Sequence, residues 1–182
     1  MVLNSATFKI CIFGDGGAGK TTLVQRFVTG RFTESTLMTI GVDIATRQLR
    51  IEDWDVNLQI WDFGGEERFR FFLPAYARGS FGGIFMYDVT RFNTLQNFDD
   101  WIEVFKKGAN YELKPIPILM VGGKIDLEYK RNISYNYARN FALPRNVFEV
   151  IECSSKTGQN VDLIFTTITR KIMRDNELIQ TI

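Results

Sequence analysis

The first residues able to do chemistry stand in one short stretch, Gly14-Asp15-Gly16-Gly17-Ala18-Gly19-Lys20-Thr21-Thr22. The spacing Gly14-x-x-x-x-Gly19-Lys20-Thr21 suits phosphate. Glycines let backbone N–H groups curl round the anion, and a helix starting there adds the positive end of its dipole. Lys20 would reach the β- and γ-phosphates of a nucleotide, and the Thr21 hydroxyl would bind Mg²⁺. A second group is Asp62, followed by Phe63-Gly64-Gly65-Glu66-Glu67-Arg68. A carboxylate at a strand end near a phosphate loop suits a Mg²⁺ contact through water. Gly65 would let a backbone N–H approach a γ-phosphate closely. The third is Val121-Gly122-Gly123-Lys124-Ile125-Asp126. A carboxylate at 126 can accept hydrogen bonds from guanine N1–H and the exocyclic amine, and the Lys124 stem can lie over the base. The fourth, Ser154-Ser155-Lys156, offers backbone N–H groups to the guanine carbonyl oxygen. Taken singly, the last three also fit ordinary strand exits. The first is specific because of what flanks it.

Those flanks are an apolar run at 8–13 and an amphipathic stretch with Leu23, Val24 and Phe27 that ends at Gly30. They predict strand, turn and helix in the order the phosphate loop needs. Residues 31–39 are polar. Alternating runs at 42–51 and 56–61 around Glu52-Asp53-Trp54-Asp55 predict a hairpin. Residues 63–79 predict an irregular loop passing into a helix. Buried strands are expected at 83–89, 116–121 and 147–153. A helix over 95–107 should bury Phe98, Trp101, Ile102 and Phe105 on one face. Another spans 134–143 with Ser134 as its cap, and a stripe of Val161, Ile164, Phe165, Ile168 and Ile172 predicts the last. Alternating strands and helices with one hairpin predict an α/β fold: a mostly parallel six-stranded sheet, one antiparallel edge strand, and helices on both faces.

The chain has 182 residues, which predicts one domain over 1–182. Such a domain buries roughly 70% of the surface its unfolded chain exposes, enough for a core without staples. Twenty-two basic and 21 acidic residues leave +1, so net charge gives no reason to expect nucleic acid as a partner. No histidine is present, which excludes a Ser-His-Asp hydrolase and a His-ligated zinc enzyme. Cys11 and Cys153 fall in apolar runs and read as buried hydrophobes, fitting a reducing compartment and a cytoplasmic location. The longest near-apolar run, 81–87, is far short of the ~20 residues a membrane helix needs. Val2 does not support myristoylation, and Glu177-Leu178-Ile179-Gln180-Thr181-Ile182 offers no prenylation cysteine. Peripheral membrane attachment would therefore need a longer tail or a recruiting partner.

In order and spacing, these four groups resemble the Ras superfamily of small GTPases, and the Rab branch most closely, over residues 8 to about 175. Thr39-Ile40-Gly41-Val42-Asp43 resembles the first switch of Rab proteins. Leu58-Gln59-Ile60-Trp61-Asp62 and Glu66-Glu67-Arg68-Phe69-Arg70 resemble the second switch and its approach. Tyr87-Asp88-Val89-Thr90 is also Rab-like. The resemblance implies a P-loop G domain that binds GTP and GDP with Mg²⁺, hydrolyses GTP and switches partners, with a role in membrane trafficking. It implies that Thr39 binds Mg²⁺ by its hydroxyl and the γ-phosphate by its N–H. Phe32 would pack on the guanine edge, and Gly16 and Gly17 would keep the loop close to the γ-phosphate. Ile44, Trp61 and Tyr76 would present an apolar surface to effector proteins. Exchange and activating proteins and a monomeric state are expected with it.

Three positions depart from the family. Glu66 stands where Gln usually orients the attacking water, keeping an acceptor but losing the amide donor. Gly123 stands where an Asn usually bonds the purine and ties the base loop to the phosphate loop. Its loss removes ~1–3 kcal/mol of hydrogen bonding unless something replaces it. Phe63-Gly64-Gly65 stands in place of the usual Thr-Ala-Gly. Lys20, Thr39, Gly65 and Glu66 are the residues expected to carry hydrolysis. Two other functions compete: a nucleotide-holding interaction module without useful turnover, and a small P-loop kinase, for which Arg68 and Arg70 are the nearest lid arginines.

Overall fold

The structure is a computed structural model that describes residues 4–34, 38–109, 111 and 114–180. Expectations resting on Val2, on 35–37 and on Thr181-Ile182 lie outside the described residues. Six strands form one sheet: β1 (Asn4–Phe13), β2 (Val42–Ile51), β3 (Trp54–Phe63), β4 (Gly82–Asp88), β5 (Ile118–Gly123) and β6 (Glu149–Glu152). Their order is β2-β3-β1-β4-β5-β6. Only β2 runs antiparallel to its neighbour. The helices are α1 (Lys20–Thr29), α2 (Glu67–Arg70), α3 (Leu73–Ala77), α4 (Asn93–Gln96), α5 (Phe98–Gly108), α6 (Tyr135–Ala142) and α7 (Val161–Asp175).

The period-2 alternation of the strands divides the core between two faces. Ile10, Ile12, Leu58, Ile60, Ile84 and Met86 point to one side and meet Leu23 and Phe27 of α1 and Ile164, Phe165 and Ile168 of α7. Phe27 and Phe165 stack there at 3.8 Å. Cys11, Phe13, Phe85, Tyr87 and Met120 point to the other and meet α3, α5 and α6. Each fully buried large side chain contributes about 1.5–3 kcal/mol. Both cysteines are buried and free. β1 lies between β3 and β4: the chain leaves it for the β2 edge, and after β3 it crosses to β4 and the other half of the sheet. In open α/β sheets ligands bind in the crevice at the carboxyl ends of strands at such a reversal.

Several boundaries differ from the sequence reading. The hairpin turn is two residues, not four, because Ile51 pairs with Trp54 and Arg50 with Asp55. The latter pair is also an ion pair at 2.7 Å, and Glu52 takes the positive φ of 53° that so tight a turn demands. The expected helix over 95–107 is two helices broken at Asn97. All four expected core residues of the second are buried. β5 starts after Pro117, which lacks an N–H for the ladder, and continues through Gly122 and Gly123. β1 starts at Asn4, its polar first residues pairing with β3. Residues 63–79 carry two short helices. Ser134 caps α6, accepting from the Tyr137 N–H at 3.2 Å. A 3₁₀ turn over Ile125–Lys130 was not foreseen.

Candidate nucleotide site

At the carboxyl ends of β1, β3 and β5 lies a cavity of about 360 Å³. Gly14 leaves β1 at φ 134°, and a Cβ there would sit 2.2 Å from the Met86 carbonyl oxygen, so only glycine fits. Gly19 then opens α1 without a side-chain cap, leaving the first N–H groups of the helix to a ligand. Lys20, from the first turn, is 5% exposed. Its Nζ donates to the carbonyls of Gly14 (2.8 Å) and Asp15 (2.9 Å). Burial pulls the ammonium down to about 8, against the opposing pull of Asp62 and Asp15. A buried ammonium held only by carbonyls, at the uncapped start of a helix, suits a polyanion.

The hydroxyls of Thr21 and Thr39 lie 2.6 Å apart, and Thr21 Oγ1 donates to Asp62 Oδ2. Because Thr21 has one proton, Thr39 is the donor to Thr21. Asp62 is 2% exposed, its Oδ1 has no hydrogen-bond partner, and burial pushes its carboxyl up to about 6. A buried carboxylate oxygen left unpaired beside two hydroxyls is costly unless something positive meets it. The two hydroxyls line the cavity and Asp62 stands behind Thr21, outside the lining, so the oxygen donors present are of the kind Mg²⁺ takes.

Two segments close over this centre. The Gly16 N–H donates to the Gly65 carbonyl at 2.9 Å, and the Gly64 N–H to Gly41 at 2.8 Å. A Cβ on Gly65 would meet Gly16 N at 2.3 Å and Lys20 Nζ at 2.5 Å. Thr39–Gly41 and Gly64–Gly65 are thus pinned to each other and to the phosphate loop. Glu66 is outside the cavity lining. Its carboxylate pairs with Arg68, Nε to Oε2 at 2.7 Å and Nη2 to Oε1 at 3.2 Å.

At the opposite end, Asp126 Oδ1 accepts from Ser154 Oγ at 2.6 Å. Ser154 is fully buried, so it sets the carboxylate rather than facing the cavity. Lys124 Nζ donates to the Gly17 carbonyl (2.7 Å) and pairs with Asp88 Oδ2 (2.8 Å). Arg91 donates its Nε to the same Asp88 oxygen (3.1 Å) and an Nη2 to the Gly16 carbonyl (2.9 Å). One buried carboxylate therefore holds two cations that each clamp a carbonyl of the phosphate loop. Ser155, Lys156 and Phe32 also line the cavity.

The cavity therefore gathers Gly16, Gly17, Gly19, Lys20, Thr21, Thr22, Phe32, Thr39, Gly65, Lys124, Asp126, Ser155 and Lys156. Asp15 departs from expectation. Its side chain turns away from the cavity to accept from Asn97 Nδ2 and Trp101 Nε1, both at 2.8 Å. Trp101 is thus a positioning group as well as core. Ala18 has its methyl in the core and offers backbone alone. Met86, Met38 and Arg91 carry no signal in the sequence that would place them here. Ile44 and Tyr76 are 51% and 39% exposed, and Tyr76 lies 5.8 Å from the Trp61 ring, so this trio does form an apolar surface.

The family model described as "Ras family" matches residues 9–174. Ras-related protein Rab-19 of Mus musculus is 35% identical over 94% of this chain and 77% of its own length. Ras-related protein RABA1i of Arabidopsis thaliana is 39% identical, over 92% and 75%. GTP-binding protein ypt1 of Schizosaccharomyces pombe is 38% identical, over 91% and 79%. With the phosphate loop, both switch segments and the base loop in place around one cavity, the chain belongs to the Ras family and is a Rab-like small GTPase.

Proposed function

We propose that this chain, as one G domain, binds GTP and GDP with Mg²⁺ and hydrolyses GTP slowly on its own. The observation that carries the reading is the unpaired, buried Oδ1 of Asp62 beside the Thr21 and Thr39 hydroxyls, next to the buried Lys20. Bound Mg²⁺ would neutralise phosphate charge there, held by Thr21 and Thr39 directly and by Asp62 through water. Lys20 and the first N–H groups of α1 would hold the β- and γ-phosphates. The Gly65 N–H would meet the γ-phosphate, its carbonyl being the group that accepts from Gly16, and so order the second switch. Thr39, already against Thr21, would be held there by the same phosphate, and hydrolysis would release both segments and change the surface formed by Ile44, Trp61 and Tyr76. Effectors, exchange factors and activating proteins would read that surface. By resemblance to Rab relatives, the process served is membrane trafficking. No helix among the described residues is long and apolar enough to cross a membrane.

Guanine would be read by Asp126, set by Ser154, with Lys124 along the base and Phe32, Ser155 and Lys156 around it. Glu66 would orient the attacking water as an acceptor once it leaves Arg68. Calorimetry of the Mg²⁺-loaded protein with GTP, GDP and ATP separately tests the binding. Tight guanine binding with little ATP binding supports it, and equal or absent binding refutes it. The Glu66–Arg68 ion pair favours a second reading, in which nucleotide is held without useful turnover. Single-turnover phosphate release at or above about 10⁻⁴ s⁻¹ excludes that reading. A kinase lid is disfavoured, since Arg68 is engaged by Glu66 and Arg70 lies over the Trp101 ring at 4.6 Å.

A further inference from the structure

The corner of the cavity at Gly123 is filled by a side chain from another strand. Gly123 ends β5, and a Cβ placed on it would lie 2.5 Å from Met86 Cε and 3.1 Å from the Ala18 carbonyl oxygen. Met86 comes from β4, pairs in register with Val121, and is 1% exposed. Its thioether crosses over the backbone of the next strand, and the same methyl lies 3.3 Å from where a Cβ of Gly19 would stand. It is also part of the cavity lining, between the phosphate loop and Asp126. One methyl group therefore touches β5, the phosphate loop and the ligand space together.

A methionine side chain fills such an irregular gap readily. A thioether has no proton to donate and accepts only weakly. If the carboxylate of Asp126 takes the N1 and amino edge of a guanine, the imidazole edge, which carries N7, turns toward Gly123 and Met86. We propose that Met86 closes the base pocket in steric exchange for the absent side chain at 123, leaving guanine read through Asp126 and N7 unread. This rests on the guanine-nucleotide reading given above. The two positions form a size pair: a large residue at 86 demands none at 123. A side chain added at 123 must push the Met86 methyl aside. With the rest of the residue enclosed by α1, α7 and the sheet, the open direction is into the cavity.

The test uses the Mg²⁺-loaded protein, Gly123→Asn, Met86→Val and the double variant, each titrated with GDP and with 7-deaza-GDP. Valine at 86 lacks the sulfur and terminal methyl, so it frees the corner for the asparagine. Gly123→Asn alone should weaken GDP binding about tenfold or more, and adding Met86→Val should restore it to within about threefold of the wild type. The wild type should bind the two ligands within about twofold of each other. The double variant should prefer GDP by about three- to tenfold, the effect of one neutral hydrogen bond. Melting temperatures of the ligand-free proteins should follow the same coupling: lowered by Gly123→Asn and recovered in the double variant. Wild-type discrimination against 7-deaza-GDP as strong as the double variant's overturns the proposal. So does independent, additive behaviour of the two substitutions. Failure of the wild type to bind GDP instead overturns the guanine-nucleotide reading on which the proposal stands.

Discussion

The phosphate end and the base end of the cavity are built on different terms. At the phosphate end the cradle is specified locally, by glycines at positive φ, a helix start without a cap and a lysine one residue further on, and Thr39, Asp62 and Gly65 are brought against it from two other segments. The chemistry leaves little freedom, because backbone N–H groups, one ammonium and a few hard oxygens are needed at fixed positions. At the base end Asp126 is held through Ser154, and Lys124 is tied to Gly17 and Asp88. Around them Met86 fills the corner beside Gly123, and Arg91 joins the clamp on the phosphate loop. The phosphate end thus depends on particular backbone and charged groups, whereas the corner of the base end beside Gly123 is filled by volume alone.

The largest expected effect tests the first half of that contrast. Replacing Lys20 by Met removes the one buried cation at the phosphates and should weaken GDP and GTP binding by about 100-fold or more. The ligand-free protein should melt no lower, since the ammonium is buried at a cost that two carbonyls only partly offset. A parallel fall in melting temperature would mean that Lys20 is structural. Next in size is Asp126→Asn, which would turn the proposed acceptor of two guanine donors into a mixed group. It should weaken GDP binding by about tenfold or more while leaving binding of inosine diphosphate, which lacks the exocyclic amine, less affected. Equal losses for both ligands would mean that Asp126 holds the loop but does not read the amine.

The clamp on the phosphate loop gives a prediction with a pH dependence. Burial alone would push the Asp88 carboxyl up. The bonds from Lys124 and Thr90 together outweigh that and hold it below the usual carboxylate range. A carboxyl with a lowered native pKa stabilises the fold fully above its unfolded value, about 3.9, and loses that contribution as pH falls through the native value. Asp88→Asn should therefore lower the melting temperature at neutral pH. The difference between variant and wild type should narrow below about pH 4, as the wild type loses its charge. Thermal melts across pH 3–7 check this, and a gap that stays constant down to pH 3 would refute the clamp's electrostatic role.

What could be read from the sequence follows the same division. The order of strands and helices was legible because the apolar residues keep a clean period. The four site motifs were legible because each follows a strand. The break at Asn97 was not, because the partner that the Asn97 amide meets there, Asp15 on the phosphate loop, lies far away in the chain and also takes the Trp101 indole. Nor was the filling of the corner at Gly123, since Met86 reads as one more apolar residue of a buried strand. A side chain's second task shows only when the strands are brought side by side.

The smallest effect concerns the second switch, where the two ends of the comparison meet. Glu66 is engaged with Arg68, whose side chain is 68% exposed, so the pair itself contributes little to stability, about 0–1 kcal/mol. Its importance is to hydrolysis: the carboxylate must leave Arg68 before it can approach a γ-phosphate, and it then brings a like charge. Glu66→Gln removes both obstacles and supplies an amide donor. It should raise single-turnover GTP hydrolysis by a few-fold, about 1 kcal/mol of barrier at most, with GDP affinity unchanged. Arg68→Ala should free Glu66 but leave its charge unneutralised, and so should not reproduce the gain. If Arg68→Ala accelerates hydrolysis as much as Glu66→Gln does, sequestration rather than charge is what slows the wild type. If Glu66→Gln instead slows hydrolysis, the carboxylate is the better water-positioning group in this chain, and the divergence at 66 is an adaptation of the phosphate end as well.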